Sequence, residues 1–344
     1  MKILLTVDPE IPVPPQGYGG IERIVDMLVH QYVQKGMDIT LVAHPESKVP
    51  CYLEKWKGAK SRGAVDIAKN TFQLTRLVYN GKFDLVHCFS RLAYLTAILP
   101  LRIPKIMSYQ REPTLSQVKK GNFLAKKDSL VFTGCSDYIS GQIATVAKAY
   151  TVYNGAPMHL YKATTSVNKD APLVFLGRIE PIKGTAIAIE VAKKANKRLI
   201  IAGNIPVEHQ AYFDDEIKPF LDDQISYIGT VNDEQKNNLL GSALVLLMPI
   251  QWNEPFGIVM AEAMACGTPV LGFNRGSVPE VVSHGITGFI STNTNEMIEQ
   301  VALCDTLDRS DVRKVAEERF SDDKISEDYL RLYQKIIDRK EKVN

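Results

Sequence analysis

The stretch WNEPFGIVMAEAMACG, residues 252–267, decides the fold. A buried strand is predicted just before it, at Ala243–Pro249. Pro255 suits the first position of a helix and Gly267 suits the residue that ends it. The N–H groups at the start of such a helix lack intrahelical partners and lie at the positive end of the helix dipole, so they favour anions or sugar oxygens. Here those amides belong to Phe256, Gly257 and Ile258.

Two carboxylates flank this predicted helix start, Glu254 before it and Glu262 two turns into it. Eight helical residues would separate them by about 12 Å along the axis. The two carboxylates of a glycosidase lie within roughly 5–10 Å of each other. The spacing therefore favours contacts at opposite ends of an elongated ligand. Taken alone, the segment is better explained as a capped helix with one exposed Glu.

A second segment, residues 177–184, follows the predicted strand Leu173–Leu176 and opens another helix. Arg178 and Lys183 bracket its turn at the carboxyl end of the strand. Arg offers a planar fork to phosphate oxygens and Lys a mobile point charge, so the pair suits a diphosphate. The alternative is two solvated surface cations.

Around these segments, short apolar strands alternate with helices in both halves of the chain, which indicates parallel sheets covered on both faces. A polar stretch near residues 157–172 interrupts the alternation. We therefore predict an α/β protein of two Rossmann-like, doubly wound domains, 1–160 and 170–322, that face a central cleft. A helix over 324–344 is expected to pack back on the first domain. The other predicted strands are Lys2–Val7, Asp38–Ala43, Phe83–His87, Lys105–Tyr109, Leu130–Gly134, Tyr150–Tyr153, Arg198–Ala202, Ser226–Ile228 and Pro269–Phe273.

The composition is that of an ordinary soluble chain of 344 residues with a formal net charge of +2, which gives no electrostatic case for a nucleic-acid partner. Five scattered cysteines indicate a reducing compartment. No signal peptide or membrane span is evident, so we expect a cytoplasmic protein. A basic patch leaves peripheral membrane contact open. It consists of Arg111, Lys119, Lys120, Lys126 and Lys127, near Phe123 and Leu124. The patch suits a phospholipid or a charged acceptor, but a solvated face is the better explanation.

Two further features lie in the first half. The glycines of Gln16–Glu22 offer free N–H groups to a phosphate or an acceptor, although a purely conformational turn explains them equally well. His87 ends a predicted strand, but a lone His is more often structural. Because no Asp-x-Asp pair occurs, we predict no metal site of the diphosphate-chelating kind.

Together these segments resemble the retaining glycosyltransferases of family GT4, which have the GT-B fold. The resemblance rests on three motifs in order, and it extends over nearly the whole chain through Asn154-Gly155 and Phe320-Ser321. The motifs are the glycine turn at residues 17–23, Gly-Arg-x4-Lys-Gly at 177–184, and Glu-x7-Glu at 254–262.

The resemblance implies roles for the matching positions. Glu254, Arg178 and Lys183 would be catalytic, the cations holding the donor diphosphate and Glu254 contacting the sugar beside the Phe256–Ile258 amides. Glu262 would accept from the ribose hydroxyls, so that Trp252–Gly267 forms a donor clamp. The other donor-binding positions would be Gly19, Gly20 and the backbone of Val231. The resemblance also implies closure of the cleft, no cofactor, and a UDP-, GDP- or ADP-sugar as co-substrate.

The acceptor half departs from the family pattern. Phe89 and Gln110 stand where many relatives carry His. Ser90, Gln110 and Arg111 are therefore only candidate acceptor-side residues. The acceptor hydroxyl is left open among a lipid-linked saccharide, a polysaccharide precursor and a small molecule.

The resulting hypothesis is metal-independent transfer of a hexose-type sugar with retention of configuration. Two alternatives stay open. One is a GT-B sugar-nucleotide epimerase or a phosphorylase-like enzyme, although no acid/base pair suited to an epimerase is evident. The other is a non-catalytic nucleotide-sugar-binding protein.

Overall fold

Two compact units make up the computed structural model, which describes residues 1–17 and 19–341. The first unit consists of residues 1–154 and the segment that begins at Asp322; the second is Gly155–Ser321. The chain thus passes from one unit to the other at Gly155, within the predicted domain 1–160. Residues 342–344 of the predicted last helix lie outside the described residues.

The first unit is built on a parallel sheet. Its strands are β1 Lys2–Thr6, β2 Asp38–Ala43, β3 Tyr52–Lys55, β4 Leu85–Cys88, β5 Lys105–Tyr109, β6 Leu130–Gly134 and β7 Ala149–Thr151. They pair in the order β3-β2-β1-β4-β5-β6-β7. Its helices are α1 Gly20–Gln34, α2 Ala64–Gly81, α3 Leu115–Leu124, α4 Asp137–Ala144 and, at the end of the chain, α12 Asp322–Glu341.

The second unit repeats this plan. Its strands are β8 Leu173–Leu176, β9 Leu199–Ala202, β10 Ile225–Tyr227, β11 Val245–Met248, β12 Val270–Phe273 and β13 Gly288–Ser291, paired in parallel as β10-β9-β8-β11-β12-β13. Its helices are α5 Thr185–Lys194, α6 Gln210–Glu216, α7 Asp233–Gly241, α8 Ile258–Ala265, α9 Val278–Val281, α10 Thr294–Val301 and α11 Arg309–Phe320.

The order of the strands reverses once in each sheet, between β1 and β4 in the first and between β8 and β11 in the second. Loops that leave two such neighbouring strands diverge, and the crevice between them is where doubly wound folds bind ligands. Residues 177–184 leave β8 and residues 249–257 leave β11. The two segments singled out in the sequence therefore flank the switch point of the second sheet.

The predicted strands are found, four of them with the predicted bounds: β2, β5, β6 and β8. The predictions did not include β3 or β13. Strand β3, with the sequence YLEK, is partly exposed and carries no apolar run. Strand β13 begins at Gly288, which has a φ of 152°, and a Cβ there would lie 1.8 Å from the carbonyl oxygen of Val270. Both strands exist because a neighbouring strand pairs with them, which local pattern does not reveal.

Helix α12 packs on the first unit through an apolar stripe. The stripe residues are at most 6% exposed: Ile325, Tyr329, Leu332, Tyr333 and Ile336. Tyr333 Oη lies 3.0 Å from Tyr32 Oη of α1. Within the described residues, no helix is both long enough and apolar enough to cross a bilayer.

Pro255 does not occupy the first position of a helix, so that prediction was wrong. Helix α8 begins three residues later, at Ile258, and its N-cap is Gly257. The intervening residues are held by tertiary contacts instead, because the Ser277 N–H donates to the carbonyl oxygen of Glu254 at 2.9 Å. Since only residues from Ile258 onward are helical, the axial spacing of about 12 Å expected between Glu254 and Glu262 does not apply.

Candidate active site

The loop after β8 presents Arg178 and Lys183. An N–H group of Arg178 lies 2.8 Å from Glu180 Oε1, and His209 Nε2 lies 3.6 Å from the other oxygen of that carboxylate. The Lys183 N–H donates to the carbonyl oxygen of Glu180 at 3.0 Å. Buried Glu180 thus orients the guanidinium and also anchors the turn that carries the lysine.

Close backbone packing connects this loop to the segment after β11. Gly184 has a φ of 78°, and a Cβ there would lie 2.0 Å from the carbonyl oxygen of Pro249. The Gln251 N–H donates to the carbonyl oxygen of Ile182 at 2.7 Å. Glycine is therefore required at position 184 for the two loops to meet.

Lys183 and Glu254 form the centre of the site. Lys183 Nζ donates to Glu254 Oε2 at 2.6 Å, and Trp252 Nε1 donates to the same oxygen at 3.0 Å. Nζ also lies 4.9 Å from the centroid of the Trp252 ring. The two charged side chains are only 18% and 10% exposed, so the pair is shielded from solvent. Two residues predicted from separate motifs are thereby brought into direct contact.

Gly257 gives this segment its shape. Its φ of 71° lies in the left-handed region, and a Cβ there would lie 2.9 Å from Met260 Cε and 3.3 Å from Glu254 Cγ. The amides of Gly257 and Ile258 stand at the start of α8, where no helical carbonyl precedes them. Phe256 is buried, with its ring centroid 5.7 Å from that of Phe320.

Glu262 belongs to a second cluster within the same unit. Its Oε1 accepts from Tyr161 Oη at 2.7 Å and from Lys236 Nζ at 2.5 Å. Lys236 lies on α7, whose N-cap Asn232 directly follows Val231. The structure thus connects Val231 to Glu262 through one short helix, although no sequence motif relates them.

Four residues of these clusters were not predicted as site residues: Glu180, His209, Lys236 and Tyr161. Glu180 lies within the Gly-Arg-x4-Lys-Gly motif, two residues after Arg178. This closeness in sequence to Arg178 was the signal by which Glu180 could have been predicted. Lys236 and Tyr161 are 26 and 101 residues from Glu262 and carry no local signal.

The predicted glycines of the first unit stand at the start of α1. Gly19 is the N-cap, with extended backbone, and Gly20 is the first helical residue. A Cβ at Gly19 would lie 2.6 Å from Pro15 Cβ and 3.0 Å from Glu22 Oε2. Burial raises the pKa of Glu22, so a partly desolvated carboxyl group lies directly behind this turn.

A cavity of about 500 Å³ lies within the first unit, at the carboxyl ends of β4 and β5. Its walls include all three predicted acceptor-side residues, Ser90, Gln110 and Arg111. Ser90 Oγ lies 2.8 Å from Thr6 Oγ1, and Gln110 Oε1 accepts from Asn154 Nδ2 at 2.6 Å. Phe89, one of the two departures from the family pattern, lines the same cavity.

Asp8 stands beside these residues at the end of β1. Its Oδ2 lies 3.9 Å from an N–H group of Arg111. Burial, reinforced by Glu10, raises the pKa of Asp8 to about 6, while Arg111 and Arg91 oppose the shift. The carboxyl group of Asp8 therefore keeps its proton to a higher pH than an exposed aspartate does.

His87 is buried and structural. Nδ1 lies 2.6 Å from Tyr333 Oη and Nε2 lies 2.6 Å from Ser108 Oγ. Burial lowers the pKa of His87 to about 3, so the ring is neutral at physiological pH. Both ring nitrogens are occupied within the fold, in agreement with the structural assignment.

In the part of the chain that the structure describes, no three His, Cys, Asp or Glu side chains approach closely enough to hold a metal ion. The five cysteines are free thiols, and only Cys51 is not fully buried.

Known proteins resemble this chain in both sequence and fold. Residues 161–311 match the family described as glycosyl transferases group 1. YtcC of Bacillus subtilis (strain 168), described as a glycosyltransferase, is 22% identical over 333 residues, which cover 86% of this chain and 80% of that one. The structure of AviGT4, a glycosyltransferase involved in avilamycin A biosynthesis, is 23% identical, covers 98% of both chains and superposes with a TM-score of 0.73. Anabaena Alr3699/HepE, solved in complex with UDP and glucose, is 19% identical, with 97% and 100% coverage and a TM-score of 0.75.

The two parallel-sheet units are therefore those of a GT-B glycosyltransferase fold. The match to the glycosyl transferases group 1 family, residues 161–311, lies entirely within the second unit. The protein is a transferase enzyme. The Lys183–Glu254 pair lies within the matched residues 161–311.

Proposed function

We propose that this protein is a retaining, metal-independent hexosyltransferase of the GT4 type that uses a nucleoside diphosphate sugar. The observation that supports the proposal is the shielded pair of Lys183 and Glu254 at the switch point between β8 and β11. A surface ion pair would be open to water, whereas this one has an indole and two backbone segments around it.

Arg178 and Lys183 would neutralise the donor diphosphate. Cleavage of the sugar–phosphate bond leaves negative charge on the departing oxygen, and preorganised cations stabilise that charge in the transition state. Glu180 holds the guanidinium in place at 2.8 Å, which reduces the reorganisation needed when the donor binds.

Glu254 would orient the donor sugar. Within the described residues, both hydrogen bonds of its carboxylate reach Oε2. Oε1 is then suited to accept from a sugar hydroxyl, beside the amides that open α8. This arrangement would position the anomeric carbon without supplying a nucleophile.

Glu262 and Val231 would hold the nucleoside. Glu262 Oε1 lies 2.5 Å from Lys236 Nζ, and its carboxyl oxygens suit the ribose hydroxyls. The backbone of Val231 at the start of α7 would contact the base. The UDP complex of Alr3699/HepE makes UDP-sugars the first donors to test, ahead of GDP- and ADP-sugars.

The proposed reaction is a front-face displacement. The bond between the anomeric carbon and the diphosphate oxygen breaks while the acceptor hydroxyl forms a new bond on the same face. The acceptor proton passes to the departing phosphate oxygen, so neither a metal ion nor a protein nucleophile is required. Configuration at the anomeric carbon is retained.

We further propose a cytoplasmic enzyme that contacts membrane surfaces through helix α3. Phe123 is 84% exposed and Leu124 is 44% exposed at the end of this helix. Lys119, Lys120, Lys126 and Lys127 surround them in sequence. Exposed apolar side chains flanked by lysines suit an anionic lipid surface.

The first experiment tests the donor site. Thermal shifts with UDP-, GDP- and ADP-sugars identify the donor, because a ligand that binds only the folded state raises apparent stability. Release of the nucleoside diphosphate is then measured for Arg178→Ala, Lys183→Ala and Glu254→Ala, with the exposed Lys194→Ala as the matched control. We expect a loss of at least about 100-fold in the three site variants and none in the control.

Wild-type turnover in all three site variants would contradict the proposal. The product is examined by NMR, where an inverted anomeric configuration would contradict retention. Loss of turnover in EDTA, restored by a divalent cation, would contradict metal independence.

A further inference from the structure

The cavity of the first unit has an excess of positive charge on its walls. Arg91, Arg111 and Lys120 line it, against a single lining carboxylate, Glu112. Asp8 faces Arg111 at 3.9 Å but does not line the cavity. A neutral saccharide would not need this arrangement, because sugar hydroxyls are recognised by neutral donors and acceptors as readily as by cations.

Two buried donors at the cavity are unsatisfied. Among the residues that the structure describes, neither Arg91 Nε nor Gln110 Nε2 has a hydrogen-bond partner. The carbonyl oxygen of the Gln110 side chain is already bound to Asn154, which fixes the amide so that its N–H2 group is the part left to bind. Buried donors without a protein partner are rare in folded proteins, so each of these two is free to bind an acceptor oxygen of a ligand or of the water that the ligand displaces.

The rest of the wall is apolar. Leu92, Leu99, Met107 and Leu124 contribute to it, and their side chains come from three different segments of the unit. A volume of about 500 Å³ is within the range of small-molecule sites. Leu124 and Lys120 are one helical turn apart on α3, so charge and apolar surface adjoin each other at this edge of the cavity.

We propose that this cavity binds the sugar acceptor as an amphiphilic anion. Its phosphate or carboxylate group accepts hydrogen bonds from Arg91, Gln110 and Arg111, and its apolar portion packs against the leucines and Met107. The inference rests on the proposed function, since a hydroxyl of the same molecule receives the sugar. Phe89 and Gln110, the two departures from the family pattern, both line this cavity, which fits an acceptor different from that of the relatives with His.

The test uses octyl phosphate below its micelle concentration as the amphiphilic anion, and 1-octanol and glycerol 3-phosphate as its apolar and polar halves. Calorimetric titration measures each affinity for the whole chain. We expect octyl phosphate to bind at least about 10-fold more tightly than either half, because charge-assisted hydrogen bonds and apolar burial both contribute. Equal affinity for octyl phosphate and 1-octanol would overturn the anionic group, and equal affinity for octyl phosphate and glycerol 3-phosphate would overturn the apolar portion.

Variants locate the binding. Arg91→Gln and Arg111→Gln are expected to weaken octyl phosphate binding about 10-fold each, whereas the exposed Arg76→Gln on α2 is the matched control and leaves it unchanged. Arg111→Lys keeps the positive charge on a side chain that is 59% exposed. If Arg91→Gln does not fold, the affinity of Arg111→Lys for octyl phosphate is measured in its place. Wild-type affinity in both Arg→Gln variants would place the ligand elsewhere and overturn the proposal.

The same samples are titrated with the nucleoside diphosphate found in the donor screen. Nucleotide binding without octyl phosphate binding means that the acceptor inference fails while the proposed function stands. Octyl phosphate binding without nucleotide binding means that the proposed transferase function fails.

Discussion

Glu254 accepts hydrogen bonds from Lys183 and Trp252 on the same carboxylate oxygen, at 2.6 and 3.0 Å. A buried carboxylate with two donors and a compensating charge is stable only if all partners keep their positions. The backbone of Glu254 is fixed as well, since its carbonyl oxygen accepts from Ser277 N–H and Gly276 packs against it. At the residue scale, the site therefore depends on backbone shape as much as on charge.

Gly257 offers a direct test of that dependence. We expect Gly257→Ala to lower the free energy of unfolding by about 1–2 kcal/mol through the left-handed φ alone. Its Cβ would also press on Met260 and on the Glu254 side chain, so turnover falls as well. Chemical denaturation and the donor assay measure the two effects.

Gly285 supplies the matched control, because its φ is 77° and a Cβ there meets nothing within 4 Å. Gly285→Ala should lose similar stability and keep full turnover. If Gly257→Ala retains wild-type turnover, the close packing at Glu254 does not matter for the reaction.

At the scale of elements, α12 is attached to the first unit through a buried polar network. His87 on β4 connects Tyr333 of α12 to Ser108 of β5, with 2.6 Å on each side. The ring centroid of His87 also lies 4.8 Å from that of Tyr329, one turn earlier on α12. A neutral imidazole satisfies this geometry, and a protonated one would place a charge in a fully buried site.

This network makes stability depend on pH. Burial lowers the folded-state pKa of His87 to about 3, below its ordinary value of 6.5, so below pH 6.5 the unfolded chain binds the extra proton. The stability contributed by His87 is complete above pH 6.5 and is lost as the pH falls towards 3, with a slope of about 1.4 kcal/mol per pH unit.

Denaturant unfolding from pH 7.5 to 4.5 measures this slope for wild type, His87→Gln and the half-exposed control His30→Gln. We expect the slope to decrease by about 1.4 kcal/mol per pH unit in His87→Gln, because one proton fewer is taken up on unfolding. The slope of His30→Gln should equal that of the wild type. The same pH dependence in all three proteins would show that His87 does not titrate in this range.

For the whole molecule, a net charge of +2 conceals an uneven distribution. Exposed Phe123 and Leu124 on α3 stand among lysines, whereas the formal charges of the chain nearly cancel. Attraction to a charged surface depends on the local charge and not on the sum, because solution ions screen charges beyond about 10 Å.

We therefore expect the protein to sediment with vesicles that contain phosphatidylglycerol and to remain in solution with phosphatidylcholine alone. Each lysine near an anionic surface contributes about 1 kcal/mol. Combined Lys119→Gln, Lys126→Gln and Lys127→Gln should weaken binding by roughly 100-fold, and higher salt should weaken wild-type binding.

A triple variant of the second unit, Lys193→Gln, Lys194→Gln and Lys197→Gln, removes the same charge elsewhere and should bind like wild type. Equal sedimentation of the wild type with both kinds of vesicle would contradict the proposed membrane contact. Lys120 is left unchanged in these variants because it lines the cavity of the first unit.

The sequence by itself determined the strand pattern, the two doubly wound units and the segments that flank the second switch point. Apolar runs such as those of β5 and β6 are long enough to be buried on both faces, and glycines such as Gly267 end helices through local geometry. Both signals are short-range, so they can be read without knowing what the chain packs against.

Only the tertiary structure decided which of these residues meet. Lys183 and Glu254 are 71 residues apart, and Lys236 and Glu262 come together from two helices. The start of α8 was misplaced at Pro255 because Gly257, Ser277 and Gly276 hold the preceding residues in a non-helical shape. The cavity likewise gathers Arg91, Gln110 and Leu124 from three separate segments. Contacts of this kind depend on the closure of long stretches of chain over a common core, and no local pattern encodes the partner at the other end.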